Sequence, residues 1–367
     1  MMQSPSAFNI LFCSLYWISM YFAYSYRVSR IPLLRQPKAG IGYLVFLILI
    51  IIYSVFDFTG GDFSNYKILY DNYWLYGTTS HLEPIYEYFI ELSSRNYFIW
   101  RFFVWTIASA IWVNVLRILK QDVDFSALIF LLIVFYHFVG ARQSIGFGLL
   151  FWGLTKIVNR SKNRVWEIII GVIIMLISLC FHKTMIVYLL IIVFACIPFR
   201  KWGIIATLIL FPIVYKYLDV FLEYYMAYLG TYSEDASEVF NRYLESDLRA
   251  VSNFNGILRL FIERTPIILL LIYSINNVFF KKRRLPVYYE ILLRMSYIMI
   301  YMSFLFIGKE VSAYISPRMW DASLYPLTLF MAYYLYPVRK KNKVTIFLML
   351  LFVGKLFIVT YNIYKFI

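Results

Sequence analysis

Long apolar runs alternate along the chain with short polar or basic stretches. An apolar run of about 20 residues is long enough to cross a lipid bilayer as an α-helix. We predict about twelve such helices, at residues 7–26, 41–57, 98–119, 124–140, 142–158, 165–181, 184–199, 202–218, 257–280, 287–307, 314–337 and 344–366. The pattern therefore predicts an all-α, polytopic membrane protein with one integral domain over residues 1–367.

Basic residues cluster in the short stretches between the apolar runs. Twenty of the 35 Lys and Arg residues lie in six clusters, at 27–38, 117–120, 156–164, 200–201, 281–284 and 339–343. Cytoplasmic loops of membrane proteins carry an excess of Lys and Arg. If each cluster marks such a loop, the helices pair on the inner side and both chain ends lie outside.

Composition supports a membrane protein and indicates which classes of molecule it contacts. A mean hydropathy of +0.70 with 62% hydrophobic residues excludes a soluble domain. The net charge of +15 is spread over the loop clusters and forms no basic face, so nucleic acid is not an expected partner, whereas anionic membrane lipid is. The first apolar run has no charge before Arg27 and is not a cleavable signal.

The sequence gives no sign of a metal or a cofactor. Cys13, Cys180 and Cys196 all lie in apolar segments, without the spacing of a zinc site or a disulfide framework. The chain also has no Gly-rich phosphate-binding loop, so we expect no nucleotide chemistry.

Two polar segments, residues 58–97 and 219–256, are long enough to form external loops. In the first, Asp62, Tyr66, Tyr70 and Tyr73 recur at near-helical spacing. Pro84 then favours a helix that begins after Glu83, because proline suits the first position of a helix. This second helix is amphipathic and too polar to cross the bilayer, so we expect it to lie at the membrane surface.

Both loops are rich in tyrosine. A tyrosine ring stacks on the apolar face of a sugar while its hydroxyl bonds to sugar hydroxyls, which makes these residues candidates for glycan binding: Tyr66, Tyr70, Tyr86 and Tyr232. Tyrosine is also the ordinary residue of the membrane–water interface, so each one taken singly has a purely structural alternative.

Several cations lie at the predicted outer ends of helices. They are Arg142, Lys183 with the neighbouring His182, Arg249, Arg259 and Arg318. A cation is unfavourable at a helix N-terminus, where the backbone N–H groups already give partial positive charge. Repeated cations there are explained if an anion such as phosphate binds among them. The alternatives are ion pairs with nearby acids for Arg242, Arg249 and Arg264, and simple packing for His182.

The same side of the chain offers groups for proton transfer. His182 follows a long apolar run and is the first candidate for a general base; Asp62 and Glu83 are the next. Each carboxylate has a structural alternative, since either side chain can cap the helix that follows it.

The order of these motifs resembles the EpsG family. The resemblance is carried by Asp62-Phe63-Ser64-Asn65-Tyr66 with Tyr70, Glu83-Pro84-Ile85-Tyr86, Arg142-Gln143-Ser144-Ile145 and Phe181-His182-Lys183-Thr184. It covers the chain from about residue 57 to residue 200 and extends weakly to the helix at Arg318.

The resemblance implies a Wzy-type polymerase of bacterial exopolysaccharide, capsule or O-antigen. Such an enzyme joins oligosaccharide repeat units carried on undecaprenyl pyrophosphate at the outer face of the cytoplasmic membrane. Such a transfer needs cations to stabilise the leaving pyrophosphate, and we expect Arg142, Lys183 and Arg318 to bind it, with Arg249 or Arg259 in reserve. A flippase and a chain-length regulator would be partner proteins.

Three other functions fit parts of the pattern. A lipid-linked glycosyltransferase or O-antigen ligase uses similar chemistry with a different acceptor. A flippase for the lipid-linked unit would place its charges near the middle of the membrane and often shows repeats. A membrane acyltransferase is suggested only by His182 in its apolar setting.

The predicted topology can be tested by labelling. We expect a cysteine introduced at Ser80 or Ser237 to react with an impermeant maleimide in intact spheroplasts, because both positions lie in loops predicted to face outward. Labelling that appears only after lysis would contradict the topology.

Overall fold

A computed structural model describes most of the helical segments of the chain. The described residues are 46–47, 62–77, 83–119, 126, 141–158, 164–198, 201–230, 254–282, 284–306, 315–338 and 354. The predicted helix 7–26, nearly all of 41–57, 124–140 and 344–366, and residues 231–253 of the second loop lie outside these residues.

The described elements are all helices, and no strand occurs among them. In chain order they are α1 Asp62–Tyr76, α2 Pro84–Leu92, α3 Tyr97–Ile118, α4 Ala141–Val158, α5 Arg164–Phe181, α6 Met185–Cys196, α7 Lys201–Gly230, α8 Phe254–Ile275, α9 Val287–Leu305 and α10 Ile315–Val338. Helix α8 continues as a short π-helix, Asn276–Phe280. The all-α prediction is confirmed for this part of the chain.

The predicted helix bounds agree closely with the observed ones, with two corrections. Helix α7 does not end near residue 218 but continues to Gly230, into the segment predicted as an external loop. A hydropathy pattern shows where the sequence becomes more polar, which need not be where the helix ends. The residues after 218 are mostly compatible with a helix, so the helix continues. His182 and Lys183 do not begin a helix; they form a turn before α6.

Helices long and apolar enough to cross a membrane are present among the described residues. They are Tyr97–Ile118, Arg164–Phe181 and Lys201–Leu218. Much of the apolar surface of α5 is exposed, including Trp166, Ile169 and Ile173. Contiguous apolar surface of this kind fits contact with lipid, so this is a membrane protein. The twelve-helix topology and the external position of the loops stay predictions.

The chain divides into two compact units. The first comprises residues 1–192, 328–341 and 365–367, and the second comprises residues 193–327 and 342–364. In the first unit, α4 packs on both α3 and α5, and the short helix α2 packs on α1, α3 and α5. In the second unit, α9 packs on α7 and α8.

Glycines bring the helices of the first unit into close contact. A Cβ added at Gly153 of α4 would lie 2.5 Å from the carbonyl oxygen of Gly171 in α5. One added at Gly146 would lie 2.7 Å from the sulfur of Met185 in α6. Small residues at such positions let helix backbones approach closely, which is the usual way that membrane helices pack.

Helix α4 is also fixed to α3 by a buried hydrogen-bonded contact. The indole Nε1 of Trp112 lies 3.1 Å from the carbonyl oxygen and 3.0 Å from the hydroxyl of Ser144. Trp112 is completely buried. This contact fixes the first turn of α4, and Arg142 lies in that turn.

We expect Gly153→Ala to destabilise the protein by about 1–3 kcal/mol, because the new methyl group meets backbone atoms that cannot move aside. Thermal unfolding of the detergent-purified protein measures the effect. Gly148→Ala is the matched control in the same helix, since its methyl group meets side chains and no backbone, with Ile111 at 2.6 Å and Trp112 at 3.5 Å. Equal unfolding temperatures for wild type and Gly153→Ala would contradict this account of the packing.

Candidate functional site

Glu83 is a buried carboxylate at the start of α2. It occupies the N-cap position before Pro84, but its side chain makes no capping hydrogen bond to its own helix. Only 4% of the residue is exposed. A buried carboxylate requires partners, and those of Glu83 come from distant parts of the sequence.

Three groups from two other segments meet this carboxylate. Arg142 Nη1 donates to Glu83 Oε2 at 3.2 Å. The backbone N–H of Lys183 donates to Glu83 Oε1 at 3.1 Å, and His182 Nδ1 lies 3.5 Å from the same oxygen. The structure therefore brings together four of the predicted site residues, which we call the Glu83 cluster: Glu83, Arg142, His182 and Lys183.

Local structure positions each member of the Glu83 cluster. The guanidinium of Arg142 lies 5.2 Å from the centre of the Tyr66 ring, and its Nε donates to the Tyr66 hydroxyl at 3.1 Å. His182 lies just beyond the end of α5, where its backbone N–H donates to the carbonyl of Ser178 at 3.0 Å. The Met185 N–H in turn donates to the His182 carbonyl at 2.9 Å, which closes the turn into α6.

The surroundings of Glu83 keep its side chain ionised. Burial by itself would raise the pKa of the carboxyl group. The contact with His182, the charge of Arg142 and the backbone N–H of Lys183 outweigh that effect and lower the pKa from 4.5 to about 2. Glu83 is thus a stable anion at neutral pH and a weak proton acceptor.

An aromatic cleft adjoins the Glu83 cluster. It is narrow and is lined by Tyr66, Tyr86, Tyr97, Trp100, Arg101, Val104, Trp105 and Arg142. Two of the predicted glycan-binding tyrosines, Tyr66 and Tyr86, therefore face one cleft. Tyr70 does not line it: its ring is buried, and its hydroxyl lies 2.7 Å from the Ser93 hydroxyl.

The other predicted site residues lie elsewhere. Arg318 is partly buried in α10 and belongs to the second unit. Arg249 and Tyr232 lie outside the described residues. Asp62 and Arg259 belong to α1 and α8, but their side chains are not among those described.

Arg101 and Arg264 are buried arginines that lie over aromatic rings, and the sequence predicted neither contact. Arg101 in the first turns of α3 is only 6% exposed and lies 4.6 Å from the centre of the Tyr97 ring. Its signal in the sequence was a charge inside a predicted membrane span, which is costly without a function or a partner. Arg264 in the second unit lies 4.8 Å from the Trp320 ring.

The described part of the chain has no cluster of side chains that could bind a metal ion. Within those residues, no three His, Cys, Asp or Glu side chains come together as metal ligands. The chemistry of the Glu83 cluster is that of a carboxylate that contacts one guanidinium, one backbone N–H and one imidazole.

The fold and the site define a helical membrane protein with a buried carboxylate, arginine and histidine cluster at its helix ends. Comparison with protein families identifies the family: the model of the EpsG family matches residues 41–366, and the chain belongs to that family. The family includes Wzy-type polymerases and points to a role in polysaccharide biosynthesis. The resemblance seen in the sequence is thereby confirmed. No curated protein and no solved structure matches the chain.

We expect Glu83→Gln to lower the free energy of unfolding by roughly 3 kcal/mol at neutral pH, because it leaves the partly buried Arg142 without its charged partner. A carboxyl group with a lowered pKa stabilises the fold above its ordinary pKa of 4.5, and this contribution is lost as the pH falls toward about 2.

The difference in unfolding temperature between wild type and Glu83→Gln should therefore shrink as the pH falls below about 5. Glu91→Gln, on the exposed side of the same helix, is the control: glutamine still accepts from the Tyr73 hydroxyl, so the effect should be small at any pH. A difference that stays the same down to pH 3 would show that the Glu83 charge is not what stabilises the protein.

Proposed function

We propose that this protein is a polymerase that joins oligosaccharide repeat units carried on undecaprenyl pyrophosphate. The reaction takes place at the outer face of the bacterial cytoplasmic membrane. The observation that carries the proposal is the Glu83 cluster, in which one carboxylate contacts both the imidazole of His182 and the guanidinium of Arg142 at helix ends. Membership of the EpsG family supports the same class of reaction.

His182 is the proposed general base. Its Nδ1 lies 3.5 Å from the ionised Glu83 carboxylate, which favours the tautomer with a proton on Nδ1 and leaves Nε2 as the acceptor. Glu83 then acts as the positioning residue that orients the ring and stabilises the imidazolium formed during the reaction, as carboxylates do in catalytic triads. The low pKa of Glu83, about 2, makes it a poorer base than an imidazole.

The cations are proposed to bind the lipid pyrophosphate. Arg142 bonds to Glu83 and Tyr66 and offers a planar guanidinium, whose fork of N–H donors suits phosphate. Lys183, next to His182 in the chain, is exposed and carries a second positive charge. Charge that develops on a leaving pyrophosphate is stabilised by such groups without a metal ion. Arg318, Arg249 and Arg259 stay candidates for further contacts, and Asp62 stays an alternative base.

The proposed reaction is a single displacement. A hydroxyl oxygen of the incoming unit attacks the anomeric carbon of the growing glycan and forms the new C–O bond. The bond from that carbon to the pyrophosphate oxygen breaks, and undecaprenyl pyrophosphate leaves with the bonding electrons. The hydroxyl proton passes to His182 Nε2. Such a displacement inverts the anomeric centre and takes its energy from the sugar–pyrophosphate bond.

Gel analysis of the surface polysaccharide from a deletion strain tests the function. Lipid-linked single repeat units should accumulate, and plasmid-borne wild-type protein should restore long chains. Loss of all surface glycan would favour a flippase. Long chains that remain on undecaprenyl pyrophosphate would favour an O-antigen ligase-like transferase.

The role of His182 gives a sharper prediction. We expect His182→Ala and His182→Gln to slow polymer formation by about 100-fold or more, because neither side chain accepts a proton as imidazole does. The wild-type rate should rise with pH along a histidine titration between about pH 5 and 8.

The control for this prediction is Lys282→Ala, in a loop predicted to face the cytoplasm, which should keep normal chain lengths. If His182→Gln keeps a large part of the activity, then His182 only holds the substrate by a hydrogen bond, and the base must be sought at Asp62 or Glu83.

A further inference from the structure

Exposed basic and aromatic side chains form a patch where two helices of the second unit end. The patch consists of Lys201 and Trp202, at the start of α7, and of Phe280 and Lys281, at the end of the π-helix that continues α8. We call it the Lys201 patch. The Lys201 ammonium lies 5.4 Å from the centre of the Trp202 ring and 5.9 Å from the centre of the Phe280 ring, so it joins the two helix ends.

The Lys201 patch lies at the ends of two apolar helices. Residues Lys201–Leu218 are long and apolar enough to cross a membrane, and Arg264–Phe280 form a shorter apolar helix. Trp202 is 76% exposed and Phe280 is 40% exposed. Exposed rings beside lysines at the end of a membrane helix are typical of the level at which hydrocarbon meets the lipid headgroups. The basic clusters of the sequence predict that this end is cytoplasmic.

The π-helix brings Phe280 to Lys201. The backbone N–H of Lys281 donates to the carbonyl oxygen of Asn276, five residues back, at 2.9 Å. One residue more than in an α-helical turn rotates the following side chains by roughly 100° about the helix axis. Short π-helical segments are frequent at functional sites. The aromatic part of the patch therefore depends on a local departure from the α-helix.

The two lysines of the patch have no carboxylate partner in the described part of the chain. Neither Lys201 nor Lys281 lies within ion-pair distance of an Asp or Glu there. Lys156, at another basic loop, pairs with Glu167 at 3.0 Å. The acid nearest to the patch in the sequence, Glu290, pairs with an arginine of its own helix. The patch thus presents exposed positive charge next to exposed rings.

We propose that the Lys201 patch is a binding site for an anionic phospholipid of the inner leaflet. Lys201 and Lys281 contact the phosphate of the headgroup, and an acyl chain lies against Trp202 and Phe280. The basic loops as a group predict anionic lipid only as a general neighbour; the rings at the helix ends single out this place.

The choice of occupant follows from what the patch offers. Its ligand must present negative charge and hydrocarbon side by side, at the end of helices that fit a membrane. A phospholipid does both at this depth. In a zwitterionic lipid such as phosphatidylcholine, the choline cation offsets the phosphate and is repelled by the lysines, so net negative charge is required. An acidic surface of another protein matches the lysines but leaves the exposed rings without an apolar partner.

Quenching of tryptophan fluorescence by brominated lipids tests the proposal. The full-length protein in a neutral detergent is titrated with phosphatidylglycerol or phosphatidylcholine, each brominated on its acyl chains. The difference between wild type and Trp202→Phe isolates the quenching of Trp202. Phosphatidylglycerol should reach half-saturation at a concentration roughly 10-fold or more below that of phosphatidylcholine, because two lysines contribute. Equal half-saturation would reject the site and leave the patch to ordinary lipid contact or to a protein partner.

Lysine variants assign the preference to the patch. Lys201→Gln and Lys281→Gln should each weaken the binding of phosphatidylglycerol roughly 5-fold, the contribution expected for one basic residue, and should leave phosphatidylcholine unaffected. Lys216→Gln is the matched control in the same helix. Lys216 is also exposed and lies 5.7 Å from the centre of an aromatic ring, that of Tyr217, but it is near the other end of the span. An equal loss in Lys216→Gln would show only an effect of net charge and would overturn the proposal.

Wild type alone decides the proposal if a variant is unstable. The preference of Trp202 for phosphatidylglycerol should shrink several-fold between low salt and about 1 M salt, because exposed charges are screened. A preference that salt does not change would contradict a site made by the lysines. The assay requires no polymer formation, so its outcome is independent of the proposed function.

Discussion

The buried carboxylate of Glu83 is the constraint on which the first unit depends. It joins residues that are far apart in sequence, since its partners lie 59 positions away at Arg142 and 100 positions away at Lys183. Each partner is unfavourable alone: Arg142 is a cation at the positive end of a helix, and Glu83 is an anion away from water. Together they satisfy each other, and the ends of α2, α4 and α5 must meet at one place. Glycine contacts along α4 then allow the helices to approach closely enough for this to happen.

The same contact explains how a structural ion pair can serve chemistry. A carboxylate held ionised by its neighbours orients an imidazole without competing with it for the proton. The aromatic cleft adjoins the same guanidinium, and two of the predicted glycan-binding tyrosines, Tyr66 and Tyr86, line it. Charge and proton transfer thus fall within a short distance at the ends of packed helices.

Much of this could be predicted from the sequence, because hydropathy and proline placement are local signals. The bounds of α3, α4 and α5 followed from apolar runs, and the start of α2 followed from Pro84 after Glu83. The continuation of α7 to Gly230 could not be predicted this way, because hydropathy indicates which residues suit the membrane and does not indicate where a helix ends. Arg142, His182 and Glu83 were identified singly as candidates, but their meeting depends on tertiary packing. Arg101 was missed because it is a single charge within an apolar run, and its contact with the Tyr97 ring depends on the folded structure.

The central claim is that Glu83 acts through His182, and a double-mutant cycle tests it most directly. The polymerisation rates of wild type, Glu83→Gln, His182→Ala and the double variant would be measured on purified lipid-linked repeat units. Two residues that act as one unit are strongly non-additive. The account predicts that Glu83→Gln slows the wild-type enzyme substantially but adds almost nothing once His182 is alanine. Two losses that simply multiply in the double variant would contradict it, because Glu83 would then contribute to the reaction independently of the imidazole.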